Sequence, residues 1–344
     1  MELSKRLKAF AGLGNYLRHF LSAGEESRDG DLSRLVNSSS GYNAWFTKQN
    51  VLQALSGVAD MLDEKALQQW TGMYGDRLQA APGRKIAVVM AGNIPMVGFH
   101  DMLCVLISGN SFIGKISSQD PYLIPFLAKK LTEIEPDFAG RITFTERLTG
   151  FDAVIATGSN NSARYFDYYF GKYPSIIRKN RNSIAVLDGT ESKEDLQNLG
   201  KDIFSYFGLG CRNVSKLLVP AGYKLDSLFE ALEDFSEIRH HSKYFNNYEY
   251  NKAIYLVNRV PFLDNNFIMM KEDLSPLSPI GVLYYEGYTT IGAAENRLNE
   301  QKENIQCIVS SRLEGAIPFG KAQYPKLWDY ADNIDTLEFL LNLE

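Results

Sequence analysis

Cysteine is scarce in this chain, with three in 344 residues at positions 104, 211 and 307. An odd, widely spaced set builds neither a disulfide framework nor a zinc site, so reduced thiols and no metal are expected. Histidine is almost as rare at four, and the pair His240-His241 has no partners at ligand spacing. Excess positive charge is missing too: a net charge of -5 argues against nucleic acid as a partner. No apolar run is long enough to cross a bilayer, and Met1-Glu-Leu-Ser-Lys-Arg carries no signal-peptide core, so the expected location is the cytoplasm. Repeats, low-complexity stretches and glycine-serine linkers are also lacking. What remains is an ordinary globular composition, 45% hydrophobic and 22% charged, with length for two domains that each bury a core.

The chain through about Leu78 reads as helical, with Leu3, Leu7, Phe10, Leu13, Leu17, Phe20 and Leu21 recurring every three or four residues and a second such segment at Trp45 to Leu62. The pattern changes near Ala81-Pro-Gly-Arg. Lys85-Ile-Ala-Val-Val-Met-Ala is a continuous apolar run, as a strand buried on both faces requires. Phe99 to Ile107 reads as a helix, Ser111 to Ile116 as a strand, Tyr122 to Ile134 as a helix and Phe151 to Thr157 as a strand. Strands alternating with helices predict βαβ units and a doubly wound sheet, with ligands at the carboxyl ends of the strands. A further strand at Ile184 to Leu187 leads into a second α/β region through Ala253 to Val257, Gly281 to Tyr285 and Cys307 to Ser310. The expected division is residues 1–187, a helical N-terminus with a dinucleotide-binding domain; 188–315, the catalytic domain; and 316–344, a tail packing back on the cofactor domain.

Of the three thiols, Cys104 and Cys307 lie in apolar runs and read as buried small hydrophobes. Cys211 differs. It lies in Gly208-Leu-Gly-Cys-Arg-Asn-Val-Ser-Lys, where the glycines let backbone approach a ligand while Arg212 and Lys216 favour a thiolate. The alternative reading is a small residue filling a turn.

Four motifs stand in the order found in aldehyde dehydrogenases and span Ile86 to Pro220. Ala91-Gly-Asn-Ile-Pro-Met resembles the turn with that superfamily's oxyanion asparagine, and Gly114-Lys-Ile-Ser-Ser118 its cofactor-binding lysine strand. Ala156-Thr-Gly-Ser159 resembles its phosphate-binding turn, and Gly210-Cys-Arg-Asn-Val-Ser-Lys-Leu-Leu-Val-Pro its nucleophile segment. Closer still, Phe151 to Asn160 and Ile177-Arg-Lys-Asn-Arg-Asn-Ser look like the fatty acyl-CoA reductases of the bacterial bioluminescence (LuxC-like) type.

The resemblance implies an aldehyde-dehydrogenase-like α/β fold, a doubly wound Rossmann-type cofactor domain plus an α/β catalytic domain. It makes Cys211 the nucleophile and Asn93 an oxyanion donor, with Asn93 as a plain turn residue before Pro95 the alternative. Lys115, Ser117, Ser118, Gly158 and Ser159 become cofactor-binding positions; for Gly158 a tight strand-to-helix turn is the alternative. Ser118 replaces a ribose-binding glutamate that would repel a 2′-phosphate, so NADPH is expected over NADH. Val186 stands where hydrolytic members carry the water-activating glutamate, which favours an acyl-CoA or acyl-carrier-protein thioester over oxidation to an acid. Asp188 or Glu191 taking that part would instead make an aldehyde dehydrogenase; an acyl-phosphate reductase and a non-catalytic dinucleotide-binding protein are the other readings. The glutamate that holds the nicotinamide ribose has no counterpart in Leu274 to Gly281. Lesser expectations are a phosphate contact by Arg178 to Arg181, an acid-base part for His100, an acyl channel or core packing for Tyr165 to Phe170, and a homodimer.

Overall fold

In the computed structural model, which describes residues 1–24, 27–79 and 83–343, the chain forms two units. Residues 1–179 with 326–344 form the first and residues 180–325 the second. Ala81 and Pro82, where the sequence pattern changes, lie outside the described residues.

The first unit begins with four helices, α1 (Leu3–Ser22), α2 (Gly30–Tyr42), α3 (Lys48–Met61) and α4 (Glu64–Gly72). Side-chain oxygens of Asp29, Thr47 and Asp63 cap the first turns of the last three. Leu13, Leu17, Phe10 and Phe20 of α1 are buried, so the periodic stripe seen in the sequence is the core face. A five-stranded parallel sheet follows, built from β1 (Lys85–Val89), β2 (Ser111–Lys115), β3 (Ile142–Phe144), β4 (Ala153–Thr157) and β5 (Ser175–Arg178) in the order β3-β2-β1-β4-β5. Helices α5 (Phe99–Ile107), α6 (Leu123–Ile134) and α7 (Asn160–Phe170) connect the strands. The order reverses between β1 and β4, which makes their carboxyl ends the switch point of a doubly wound sheet.

The second unit carries a six-stranded sheet in the order β11-β6-β7-β10-β9-β8, from β6 (Asn182–Val186), β7 (Val214–Pro220), β8 (Leu263–Asp264), β9 (Met269–Glu272), β10 (Val282–Tyr288) and β11 (Ile305–Val309). All pairings are parallel except β8 with β9. Helices α8 (Lys193–Phe204), α9 (Asp226–Leu232), α10 (Ser242–Val257) and α11 (Ile291–Glu300) accompany it. A reciprocal capping box between Ser192 and Asp195 starts α8. Ala253 to Val257, expected to continue the strands, is the end of α10: a five-residue apolar run cannot by itself tell a strand from a buried helical turn.

The last helix, α12 (Thr336–Leu341), belongs to the first unit. Tyr330 anchors this tail segment by accepting a hydrogen bond from Trp70 at 2.8 Å and sharing one of 2.6 Å with Tyr74, whose hydroxyl also meets Asp335 at 2.7 Å.

Candidate active site

Between the end of α8 and the start of β7 the backbone makes an uncommon turn. Tyr206, Phe207 and Gly208 all adopt left-handed conformations, with φ of 51°, 59° and 77°. For the two aromatic residues such geometry costs on the order of 1–3 kcal/mol each, and it persists only where the surroundings enforce it. Buried Asn213 supplies that enforcement. Its amide donates to the carbonyls of Asp202 (3.0 Å), Ile203 (3.3 Å) and Ser205 (2.8 Å), closing the end of α8, while its carbonyl accepts from Gly210 N–H at 2.8 Å. Cys211 sits on the exposed crest of the turn so held.

Ser183, at the register shift between β6 and β7, donates from its hydroxyl to the Cys211 carbonyl at 3.1 Å. The Cys307 sulfur lies 2.9 Å from the same oxygen. Because the Ser183 proton is already given to Cys211, the Cys307 thiol is the donor in that pair. Burial pushes the Cys307 thiol up, against the lowering effect of nearby Arg212. Cys307 is thus half-buried and hydrogen-bonded, a correction to the expectation that only Cys211 has polar company. Sequence reasoning missed Ser183 and Asn213. An asparagine just before a strand is a turn signal that could have marked the second.

Both carboxylates near Val186 are engaged in local hydrogen bonds. Burial raises Asp188, but hydrogen bonds from Thr190 and Arg312 outweigh it and hold the group at about 2, so it stays an anion too weak to act as a base. Glu191 accepts from the backbone N–H groups of Asp188 (2.6 Å) and Gly189 (3.1 Å), which occupies both oxygens. Val186 itself is buried in the core beside Ile184 and Leu218.

In the first unit, Asn93, Lys115, Ser117, Ser118, Gly158 and Ser159 all lie beyond the carboxyl ends of β1, β2 and β4, on one edge of one sheet. The turn after β1 is pinned from two sides. Asn43 donates to the carbonyls of Gly92 (3.3 Å) and Gln119 (3.2 Å), and Asp120 accepts from Met96 N–H at 2.7 Å, where Met96 has φ of 60°. Gly92 is so close to the segment after β2 that a Cβ there would lie 2.5 Å from Ser117 Oγ. The asparagine turn and the lysine strand are therefore neighbours. Lys115 and Ser118 are exposed at that edge. Gly158 gives its N–H to Arg178 at 3.3 Å, and a Cβ on it would meet Ser162 at 2.8 Å, so close packing of β4 on α7 requires glycine. Ser159 caps α7 by accepting from Ser162 N–H at 3.2 Å.

Three lesser expectations resolve differently. Of Arg178 to Arg181, buried Arg178 pairs with Asp101 at 2.6 Å and donates to Thr336 at 2.9 Å, so its guanidinium belongs to the core of the first unit. His100 Nε2 is 2.9 Å from the Leu327 carbonyl and Nδ1 3.8 Å from Cys104 Sγ, with its ring between Trp70 and Tyr330; it is engaged on both nitrogens. On α7, Phe166 and Phe170 pack on the sheet, whereas Tyr165, Tyr168 and Tyr169 are 67%, 83% and 62% exposed. Among the described residues no cluster of His, Cys, Asp and Glu is arranged to hold a metal ion, and no helix is long and apolar enough to cross a membrane.

The family model of acyl-CoA reductases (LuxC) matches residues 33–232. No curated protein matches the sequence. Among solved structures, aldehyde dehydrogenase 21 from Physcomitrella patens, in complex with succinate, is similar at a TM-score of 0.69 and 13% identity, over 99% of this chain and 84% of that one. Lactaldehyde dehydrogenase from Escherichia coli is similar at 0.64 and 14%, over 90% and 74%. The indole-3-acetaldehyde dehydrogenase AldA of P. syringae, in complex with NAD+, is similar at 0.64 and 16%, over 93% and 74%.

Proposed function

Because the chain belongs to the acyl-CoA reductase (LuxC) family, on an aldehyde dehydrogenase fold, we propose that it reduces an acyl thioester to an aldehyde through an acyl-enzyme on Cys211. The observation that carries this reading is the exposed thiol on a turn locked by Asn213 and Ser183, with both neighbouring carboxylates engaged elsewhere. The Cys211 thiolate adds to the thioester carbonyl, the coenzyme A (or carrier) thiolate leaves and takes up a proton, and the acyl group stays on Sγ. The Cys211 N–H and the Asn93 side chain are assigned to the negative charge that builds on the carbonyl oxygen. A reduced nicotinamide, when bound, supplies the hydride; collapse of the resulting thiohemiacetal then frees the aldehyde and the Cys211 thiolate.

The residues of the first unit fit such a cofactor. Its sheet has a switch point, a turn that packs at Gly92 against Ser117, and an exposed lysine at the end of β2. Lys115, Ser117 and Ser118 are assigned to the adenosine ribose, and Gly158 and Ser159 to the pyrophosphate. Ser118 favours NADPH over NADH because no carboxylate there repels a 2′-phosphate. The AldA structure carries NAD+, which supports a nicotinamide without choosing between the two. A cytoplasmic location and a homodimer complete the reading; three unbridged thiols support the first.

One observation favours aldehyde oxidation instead: burial pushes the Glu191 carboxyl up from its ordinary value. Incubation with acyl-CoA in the absence of reductant separates the readings. Intact mass with peptide mapping should show one acyl group on Cys211 that is stable to water, discharged as aldehyde by NADPH faster than by NADH, and absent in Cys211→Ala. An adduct hydrolysed to free acid as fast as it forms would give the assignment to the dehydrogenase, and turnover surviving in Cys211→Ala would end the nucleophile's claim.

A further inference from the structure

The strand order of the first sheet lays out its carboxyl edge in sequence. The Gly158-Ser159 turn assigned to the pyrophosphate follows β4, the Lys115 to Ser118 segment assigned to the ribose follows β2, and β3 is the next strand outward. A group carried on the ribose away from the pyrophosphate therefore reaches the segment that follows β3, Thr145-Glu-Arg-Leu148. Register shows that this segment is on the right face. Lys115 is level with Val89, and Val89 belongs to the face of β1 and β4 on which Phe166 and Phe170 of α7 pack. Residues level with each other across a parallel ladder share a face, so Lys115 stands on it as well. Leu148 packs against the same apolar cluster of Ala87, Val154 and Ala156, so the chain leaving β3 crosses that face too. Lys115, Arg147 and the start of α7 thus lie on one side of one sheet edge.

The backbone at Arg147 is held, while its side chain is uncommitted. Thr145 N–H extends the β2-β3 ladder by donating to the Gly114 carbonyl at 2.9 Å. The Thr145 hydroxyl accepts from Arg147 N–H at 3.2 Å and donates to the Arg147 carbonyl at 2.9 Å, which closes a tight turn at the strand end. Arg147 and Lys115 are both exposed, and among the described residues neither cation has an ion-pair or hydrogen-bond partner; even Glu146, next to Arg147 in the chain, makes no ion pair with it. Two cations without a counter-ion, at the ends of two neighbouring strands, suit a phosphate. The ammonium acts as a point charge, and the guanidinium fork takes two oxygens at once.

We propose that Arg147, together with Lys115, holds the 2′-phosphate of NADPH and sets the preference for it over NADH. The inference rests on the nicotinamide reading and adds a residue that attracts the phosphate to the mere absence of a carboxylate at Ser118. The test is calorimetric binding of 2′,5′-ADP, 3′,5′-ADP and 5′-AMP to the full chain in wild type, Arg147→Ala, Arg147→Lys and, as a charge control at an exposed position of α1, Lys8→Ala. These probes are the adenosine ends of NADPH, coenzyme A and NADH, so they separate the two sources of a ribose phosphate without any turnover. Wild type should bind 2′,5′-ADP at least about tenfold tighter than 5′-AMP, as one charge-assisted pair allows. Arg147→Ala should bring the two affinities together with 5′-AMP unchanged, Arg147→Lys should keep part of the difference, and Lys8→Ala all of it. Equal wild-type affinities, a wild-type ratio kept in Arg147→Ala, or a ratio lowered as much by Lys8→Ala would overturn the assignment. A loss confined to 3′,5′-ADP would overturn it in favour of coenzyme A. Binding of none of the three by wild type would overturn the cofactor reading beneath it.

Discussion

Cys211 and Cys307 lie on one hydrogen-bonded relay, in which the Cys307 thiol donates to Ser183 Oγ and the Ser183 hydroxyl donates to the Cys211 carbonyl. The relay separates two chemistries that the sequence runs together. Cys211 is exposed, while burial pushes the Cys307 thiol up. Only a thiolate is a nucleophile, so an alkylating reagent at mild alkaline pH should modify Cys211 at least about tenfold faster than Cys307, with buried Cys104 last. Peptide mapping over time reads the order. Asn213 bears more weight. Its replacement by alanine leaves three buried carbonyls and the Gly210 N–H without their side-chain partner, a loss of about 1–3 kcal/mol for each buried group that stays unsatisfied. Asn213→Ala should therefore lower the melting temperature and also slow Cys211 acylation, because the turn that presents the thiol relaxes. A variant that melts lower but acylates at the wild-type rate would show that Asn213 supports the fold and not the nucleophile.

At the scale of elements, the strands with continuous apolar runs were legible and the shortest strands were not. Ile86 to Val88 and Ala153 to Ala156 are buried on both faces, and such continuous apolar runs announce themselves. The short strands β3, β8 and β9, with two to four residues each, have no run long enough to show a period. The same rule divides the site. The turns that carry Cys211, Asn93 and the residues after β2 and β4 are legible because glycine and proline mark them. Ser183, Asn43 and Asp120 are not, because they act on turns far away in sequence and only pairing across the sheet or helix docking brings them there. The tail is a further case. Its hold on the first unit lies in the Trp70-Tyr330-Tyr74-Asp335 hydrogen bonds, which no periodicity shows. Tyr330→Phe keeps the ring and removes the shared oxygen, leaving the buried indole N–H without its acceptor; the cost should be about 1–3 kcal/mol. Urea unfolding should report it as a lower midpoint at unchanged slope.

Across the whole molecule, each unit buries an aspartate, Asp120 in the first and Asp202 in the second. Burial pushes Asp120 in the first unit and Asp202 in the second up to about 6, although backbone N–H groups of Met96 for the one, and of Gly320 and Ala322 for the other, pull them down. Both groups bind their proton more tightly folded than unfolded. Their contribution to stability is therefore complete below the ordinary value of 3.8 and is lost as the pH rises toward 6. Asp188 and Asp273, both held at about 2 chiefly by hydrogen bonds that outweigh burial, run the other way and lose their contribution as the pH falls from 3.8 toward 2. The raised pair loses its contribution above pH 3.8 and the lowered pair below it, and each raised group is worth about 3 kcal/mol across its window. Melting temperature measured against pH should fall between pH 4 and 6. Asp120→Asn and Asp202→Asn should each flatten that fall, and the double variant should flatten it further. Since each aspartate lies in a different unit, two melting steps with separate pH slopes would assign one aspartate to each step, and a slope unchanged by both substitutions would show that these carboxyls titrate as they do in water.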